Sequence, residues 1–441
     1  MILLAAAFGL SLLTGFLLVR FFAPKLDAAL QASLGTGLGM GAVSCCLFLS
    51  LQTGIPWLLL EICLLIGFAV AAWRTPLPRG SAKPMTALEW GLAAAFGAAV
   101  LCAFYGFVSI TRSNPHGQWD AWAIYNLRAR FLAASAWRDG FSPILYQSHP
   151  DYPLLLPGFI AMVWRATGGR DLMVPAGTAL LFTLGTAGVL VTSVAALKGR
   201  AAGFLAGIAL VGTPYFIEHG AAQYADVPVS FFILATLALL ALQDRWPKAM
   251  GLTLLAGVAV GMGAWTKNEG LLLVSVVIPI RAIAVWRGSG GRAVLSQGKW
   301  FAAGLAPLLA IVFYFRATLA TPNDHLREGG TLMTRLTDPY RWDVLGHYLF
   351  DSISAFGGLS VSIVLVLALY LVFMGLDWRA HSAAILTASG TLLMLLMGYC
   401  LVCVITPADI VWQLSTSLNR LLLQLWPGVL FLVFLAARAP G

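Results

Sequence analysis

Leu154-Leu155-Leu156-Pro157-Gly158-Phe159-Ile160-Ala161-Met162-Val163-Trp164-Arg165 decides how the rest of this chain is threaded. The run is apolar, yet as a helix it rises only about 18 Å, and a bilayer's hydrocarbon core is about 30 Å thick. Pro153 and Pro157 interrupt its start. We therefore read it as a short helix that lies in the membrane interface or dips partway in, and does not cross.

The chain around it needs a bilayer as its solvent. Of its 441 residues, 60% are hydrophobic and 10% charged, whereas a soluble domain carries about 25% charged residues. Apolar runs fall near 2–22, 30–51, 55–73, 87–109, 173–197, 201–217, 226–243, 249–266, 270–286, 300–319, 350–374, 382–404 and 418–436. They predict an all-α, polytopic membrane protein of about thirteen transmembrane helices plus the short interfacial helix. Met1–Val19 has no basic n-region and reads as a retained span, not a cleaved signal peptide. Every cysteine lies inside an apolar run, so the Cys400/Cys403 pair reads as apolar packing. The run Gly35, Gly37, Gly39, Gly41 predicts close helix packing.

Charge tests the threading. If 154–165 does not cross, one set of loops holds 15 of the 27 Lys and Arg, including Arg20, Arg74, Arg79, Lys83, Lys198 and Arg281. Its only acids are Asp27, Glu89, Asp244 and Asp377. The other side holds 12 basic and 13 acidic residues, and Glu61 lies within a span. The positive-inside rule makes the basic side cytoplasmic, with the N-terminus outside and the C-terminus inside. If 154–165 crossed, the basic loops would be split between the two sides. The net charge of +9 therefore reflects membrane orientation, and no nucleic acid partner is expected.

The outer side then carries two long segments, 110–172 and 320–349, too long and too rich in aromatics and arginine to be idle linkers. Five polar clusters fall on that side: Gln118/Asp120, His149/Asp151/Tyr152, Gln223/Tyr224/Asp226, Lys267/Asn268/Glu269 and Asn419/Arg420. A transporter places its ionisable groups near the bilayer midplane on broken helices. One-sided clusters fit chemistry at the membrane–water boundary; a flippase of a lipid-linked saccharide is the alternative.

Each cluster also has an ordinary reading. Asp120 precedes a predicted helix and serves equally as an N-cap or a reactive carboxylate. Trp119, Trp122 and Tyr125 fit an interfacial aromatic belt. Arg128 and Arg130 either snorkel or meet a phosphate. The prolines of His149-Pro150-Asp151-Tyr152-Pro153 turn the chain, and the spacing there defines no metal site. Asp226, followed by Val227-Pro228, matches helix-start grammar. Lys267 and Glu269 either pair with each other or meet a lipid phosphate. Arg420 begins the last span on the outer side and calls for a partner.

In their order these features resemble the GT-C superfamily of integral-membrane glycosyltransferases. The closest likeness is to its protein-mannosyltransferase and aminoarabinose-transferase branch and to bacterial transferases that decorate lipopolysaccharide core. The resemblance covers about residues 85–436. It rests on Gln118-Trp119-Asp120-Ala121-Trp122, His149-Pro150-Asp151-Tyr152-Pro153-Leu154, Tyr224-Ala225-Asp226-Val227-Pro228, Trp265-Thr266-Lys267-Asn268-Glu269-Gly270 and Gln413-Leu414-Ser415-Thr416-Ser417-Leu418-Asn419-Arg420. It divides the chain into N-terminal transmembrane helices, 1–84, and a catalytic module, 85–436.

The resemblance implies an inverting transfer from a polyprenyl-phosphate sugar to a glycan, lipid or protein acceptor. The reaction would occur on the periplasmic face of a bacterial inner membrane. Carried over residue by residue, Asp120 is the general base. Lys267 and Arg420, with Arg128, contact the lipid phosphate. Asp226, Glu269, Gln118, His149, Asp151 and Tyr152 position sugar or acceptor. A divalent metal is left open. Asp120 has no acidic neighbour, a His-Pro-Pro form reads His-Pro-Asp here, and residues 1–73 are unmatched.

Overall fold

The computed structural model describes residues 2–73, 75, 84–322, 332–359 and 361–439. Among them the chain forms helices and no strand, as a bilayer requires of a spanning backbone that must satisfy its own hydrogen bonds. The first group is α1 Ile2–Phe22, α2 Ala28–Thr53, α3 Trp57–Trp73 and α4 Ala87–Ser113. Asp27 caps α2 by accepting from the Leu30 N–H, and Thr86 with Glu89 closes a capping box on α4. The middle group is α5 Asn126–Leu132, α6 Leu155–Thr167, α7 Met173–Lys198, α8 Arg200–Val211, α9 Pro214–Ala221, α10 Asp226–Arg245, α11 Met250–Thr266 and α12 Glu269–Thr318. The last group is α13 Leu332–Leu336, α14 Pro339–Ser354, α15 Ile363–Met374, α16 Ser382–Ile405 and α17 Ile410–Ala436.

Among the described residues, 8 helices are long and apolar enough to cross a membrane, or 9 with α8 and α9, which are bent by 64°. The 50-residue α12 is broken at Gly290, whose φ of +78° no helix contains, so it forms two arms. The shorter apolar helices α3, α11 and α15 account for the remaining predicted runs. The expected all-α, polytopic architecture is what the chain adopts.

α10 occupies the middle, packed against α7, α11 and α17. Residues 226–243 are buried without a break, which fits a helix apolar on every side. α1 meets α2 where a Cβ on Gly15, Gly35 or Gly39 would collide with the other helix's backbone. The glycine run thus does bring two helices together.

One expectation is refined and two change. First, α6 is short, as expected of a helix that does not cross, and it is packed inside the bundle. Leu155–Trp164 are all buried against α1, α2 and α7, and Ser44 Oγ donates to the Leu154 carbonyl at 2.8 Å. Second, the predicted span 350–374 is not continuous. Gly357 and Gly358 hold φ of +95° and +74° and separate α14 from α15. α14 also turns part of the predicted loop 320–349 into helix, capped by Asp338. Third, α17 begins at Ile410 rather than 418, so Arg420 lies well inside the helix. Asn323, Asp324, His325, Arg327 and Glu328, and likewise Arg74, Arg79 and Lys83, lie outside the described residues.

Polar side chains collect at the two ends of the bundle. At one end Arg281 pairs with Asp244 at 2.6 Å and Lys198 with Asp377 at 3.8 Å. These four residues belong to loops that the charge count placed on one side.

Candidate active site

The opposite end is built from the turn after α4. Gly117 has φ +73°, and a Cβ there would stand 2.5 Å from the Ala121 Cβ and 2.7 Å from the Ala222 carbonyl. Glycine therefore lets this turn dock on the α9–α10 link, where the Gln118 N–H donates to Ala222 O at 3.1 Å. Asp120 follows, and Ala121–Tyr125 then form a π-helical turn closed by the Asn126 N–H onto the Ala121 carbonyl. Such widened turns recur at functional sites. Asp120 makes no capping hydrogen bond, which removes the N-cap reading.

Its carboxylate instead accepts from Arg420 Nη2. Arg420 Nε donates to Asp226 Oδ2 at 2.9 Å. Asp226 Oδ1 accepts from Lys267 Nζ at 3.2 Å and from Gln424 Nε2 at 2.7 Å. Lys267 pairs with Glu269 at 2.7 Å. Asp120–Arg420–Asp226–Lys267–Glu269 is thus one continuous chain of charges drawn from four places in the sequence. The Tyr224 ring lies 4.4 Å from the Arg420 guanidinium, and Tyr399 OH donates to Gln424 Oε1 at 2.8 Å.

The chain has a buried middle and two partly open ends. The Asp226 and Lys267 side chains are 0% and 7% exposed, whereas Asp120, Arg420 and Glu269 keep 14%, 19% and 20%. Burial works against the Lys267 charge, but Asp226 and Glu269 more than offset it and hold its ammonium well above the usual lysine range. A substrate can therefore reach Asp120 and the Arg420 edge, while Asp226 and Lys267 form the fixed floor.

A second layer supports the first. Asn268 donates to Asp151 Oδ2 at 2.7 Å and accepts from Arg316 Nη2 at 2.6 Å. His149, at φ +47°, stacks on Tyr152 with ring centroids 4.6 Å apart. Gln223, at φ +62°, accepts from Asn126 Nδ2 and donates to the Pro115 carbonyl. His149 and Gln223 are left-handed non-glycine residues, the two found among the described residues, and they flank this site, where backbone strain is tolerated for function. Gln118 is exposed and contributes its main chain to the docking of the turn.

Arg128 is placed differently from the expected phosphate contact. Burial lowers its pKa to about 10, and its guanidinium donates to the Ser148 and Pro150 carbonyls at 3.0 and 3.4 Å. It ties the loop before α6 to α5. Sequence reading also passed over Tyr125, Arg316, Tyr399 and Gln424. Gln424 was findable, because Gln413, Ser417, Arg420 and Gln424 share one face at helical spacing. Tyr125 is buried, and its hydroxyl has no hydrogen-bond partner among the described residues, although Lys267, Asp120, Tyr152 and Asp226 all act on it electrostatically.

Among the described residues no three His, Cys, Asp or Glu side chains converge, and Asp120, Asp226 and Glu269 are each already paired with a cation.

Residues 149–326 match the model of the family described as Dolichyl-phosphate-mannose-protein mannosyltransferase. The match contains His149, Asp151, Asp226, Lys267 and Glu269, and leaves Asp120 and Arg420 outside it. No curated protein and no solved structure matches the chain.

Proposed function

We propose, on the premise that this chain is a membrane glycosyltransferase of the GT-C superfamily, that it moves a sugar from a polyprenyl-phosphate donor to an acceptor hydroxyl by one inverting displacement. The observation that carries this reading is the bridge by Arg420 between Asp120 and Asp226, with Lys267 on the far side of Asp226. A carboxylate and one cation, Asp120 and Arg420, then lie at an open end, with Lys267 fixed behind them through Asp226.

In the proposed reaction the acceptor O–H gives its proton to Asp120 as its oxygen attacks the anomeric carbon. The bond from that carbon to the phosphate oxygen breaks, and polyprenyl phosphate leaves with the electron pair. A positioned general base contributes about 10²–10⁴-fold. Arg420 and Lys267 meet the charge that develops on the leaving phosphate, and because Asp226 and Gln424 already hold the site in place, little reorganisation is needed. Arg420 shares its donors between the two aspartates. A phosphate that takes Arg420 Nη2 frees the Asp120 carboxylate to receive a proton, so donor binding and base release are one event. The charge alternation supports an outward-facing site in a bacterial inner membrane.

The test uses purified protein in detergent and radiolabelled polyprenyl-phosphate sugars, with and without EDTA, scoring release of polyprenyl phosphate. Wild type is expected to release it, and Asp120→Asn to lose release while melting normally. An Asp120→Asn protein with full transfer would remove the base assignment. No release with any donor, together with flipping activity in liposomes, would replace the transferase reading with transport.

A further inference from the structure

Beside the charge chain lies a cavity of about 770 Å³, within the usual range for small-ligand sites. It is bounded by the residues on either side of Asp120: Gly117 and Trp119 before it, Trp122, Ala123 and Asn126 after it. Asp120 itself points its carboxylate to Arg420. The turn from Gly117 to Asn126 therefore borders both the charge chain and the cavity.

The lining has a definite chemistry. Trp119 and Trp122 are about half exposed, with ring centroids 5.6 Å apart, and Trp164 adds a third indole. Around them stand hydrogen-bonding groups, among them Asn126 and Gln147. Arg130 is the one charged side chain among the described residues that line it; it is exposed and makes no hydrogen bond or ion pair with other described residues. Leu127 and Leu172 add aliphatic surface beside the indoles, and among the described residues no carboxylate lines the cavity, so it does not suit a basic ligand. Indole faces suit the C–H faces of sugar rings, amides suit their hydroxyls, and an unpaired guanidinium suits an acidic substituent.

We propose that this cavity is the acceptor subsite and that it takes an anionic saccharide, one bearing a carboxylate or phosphate that meets Arg130. The proposal rests on the transferase reading for its role. Its binding test is separate from that reading, because calorimetry needs no turnover.

The experiment is isothermal titration of the full protein in detergent with tetragalacturonate, galactose 6-phosphate, maltotetraose and a Ser/Thr-rich peptide. The acidic saccharides are expected to bind, and the two arms tell a carboxylate preference from a phosphate one. Arg130→Gln, at an exposed position, is expected to weaken the acidic saccharide at least tenfold and to leave maltotetraose unchanged. Trp119→Ala with Trp122→Ala is expected to weaken every saccharide. Asp120→Asn is expected to bind as wild type does. The proposal is overturned if neither acidic saccharide binds, if the peptide binds more tightly than the saccharides, or if the Arg130 and tryptophan variants bind as wild type does. Absence of polyprenyl phosphate release by the wild-type protein with every donor, saccharide binding being intact, would instead count against the transferase reading.

Discussion

Three side chains donate to the carboxylate of Asp226, and two of them are cations. Taking away the negative charge leaves Lys267 and Arg420 facing each other across a buried floor. Removing one partner of a buried ion pair typically costs about 3–5 kcal/mol. Asp226→Asn is therefore expected to lower the melting temperature in detergent markedly. Asp120→Asn, at an end that keeps 14% exposure, should cost less than Asp226→Asn and show its effect in turnover. Equal melting of Asp226→Asn and wild type would show that the floor is not held by charge. Tyr125 allows the opposite test. Its hydroxyl is buried without a partner among the described residues, which ordinarily costs about 1–3 kcal/mol. Tyr125→Phe should therefore melt at or above the wild-type temperature. If the hydroxyl is reserved for substrate, transfer should fall by about tenfold, the worth of one ordinary hydrogen bond. Lower stability with full transfer would assign it a structural role. The residues of the charge chain were legible in the sequence because ionisable groups interrupt apolar runs. Tyr125 was not, since an aromatic beside Trp119 and Trp122 looks like one more member of an interfacial belt.

At the scale of the helix, hydropathy located the elements and misjudged where three of them lie or end. It could not see that Gln413, Ser417, Arg420 and Gln424 share one face of α17, because averaging over a window removes the periodicity that would have lengthened the helix. It joined α14 to α15 because Gly357 and Gly358 are neutral on a hydropathy scale, although two successive left-handed residues end a helix. It could not distinguish an interfacial α6 from a buried one, since both are short and apolar. The link into α16 gives a pH prediction. His381 is depressed below its usual 6.5, first by burial and then by the nearby Lys198, while Asp377 pulls the other way. Arg245 and Asp244 face it as well. The folded chain therefore resists protonation that the unfolded chain accepts. Stability is full above about pH 6.5 and is lost as pH falls from there toward the folded value. His381→Gln should flatten that part of the melting curve, and superimposable curves for variant and wild type would exclude the effect.

Across the whole molecule, the reading of 154–165 was the step on which the topology depended. The excess of positive charge fell on one side only if that run did not cross, and the contacts at both ends agree with that choice. Arg281 meets Asp244 and Lys198 meets Asp377 at one end, while Asp120, Asp226, Lys267 and Arg420 meet at the other. Contacts establish which loops share a side; the charge bias is what assigns that side to a compartment. The assignment bears on chemistry, because an acceptor with a sugar body and an acidic group must reach the cavity beside Asp120 from the compartment that holds it. A cysteine-free variant carrying Gln118→Cys or Arg379→Cys reports this directly, as both positions are exposed and lie at opposite ends. A membrane-impermeant maleimide is expected to label Gln118→Cys in intact cells and Arg379→Cys only after lysis. The reverse pattern would turn the candidate site to the cytoplasm and require its acceptor to be a cytoplasmic molecule.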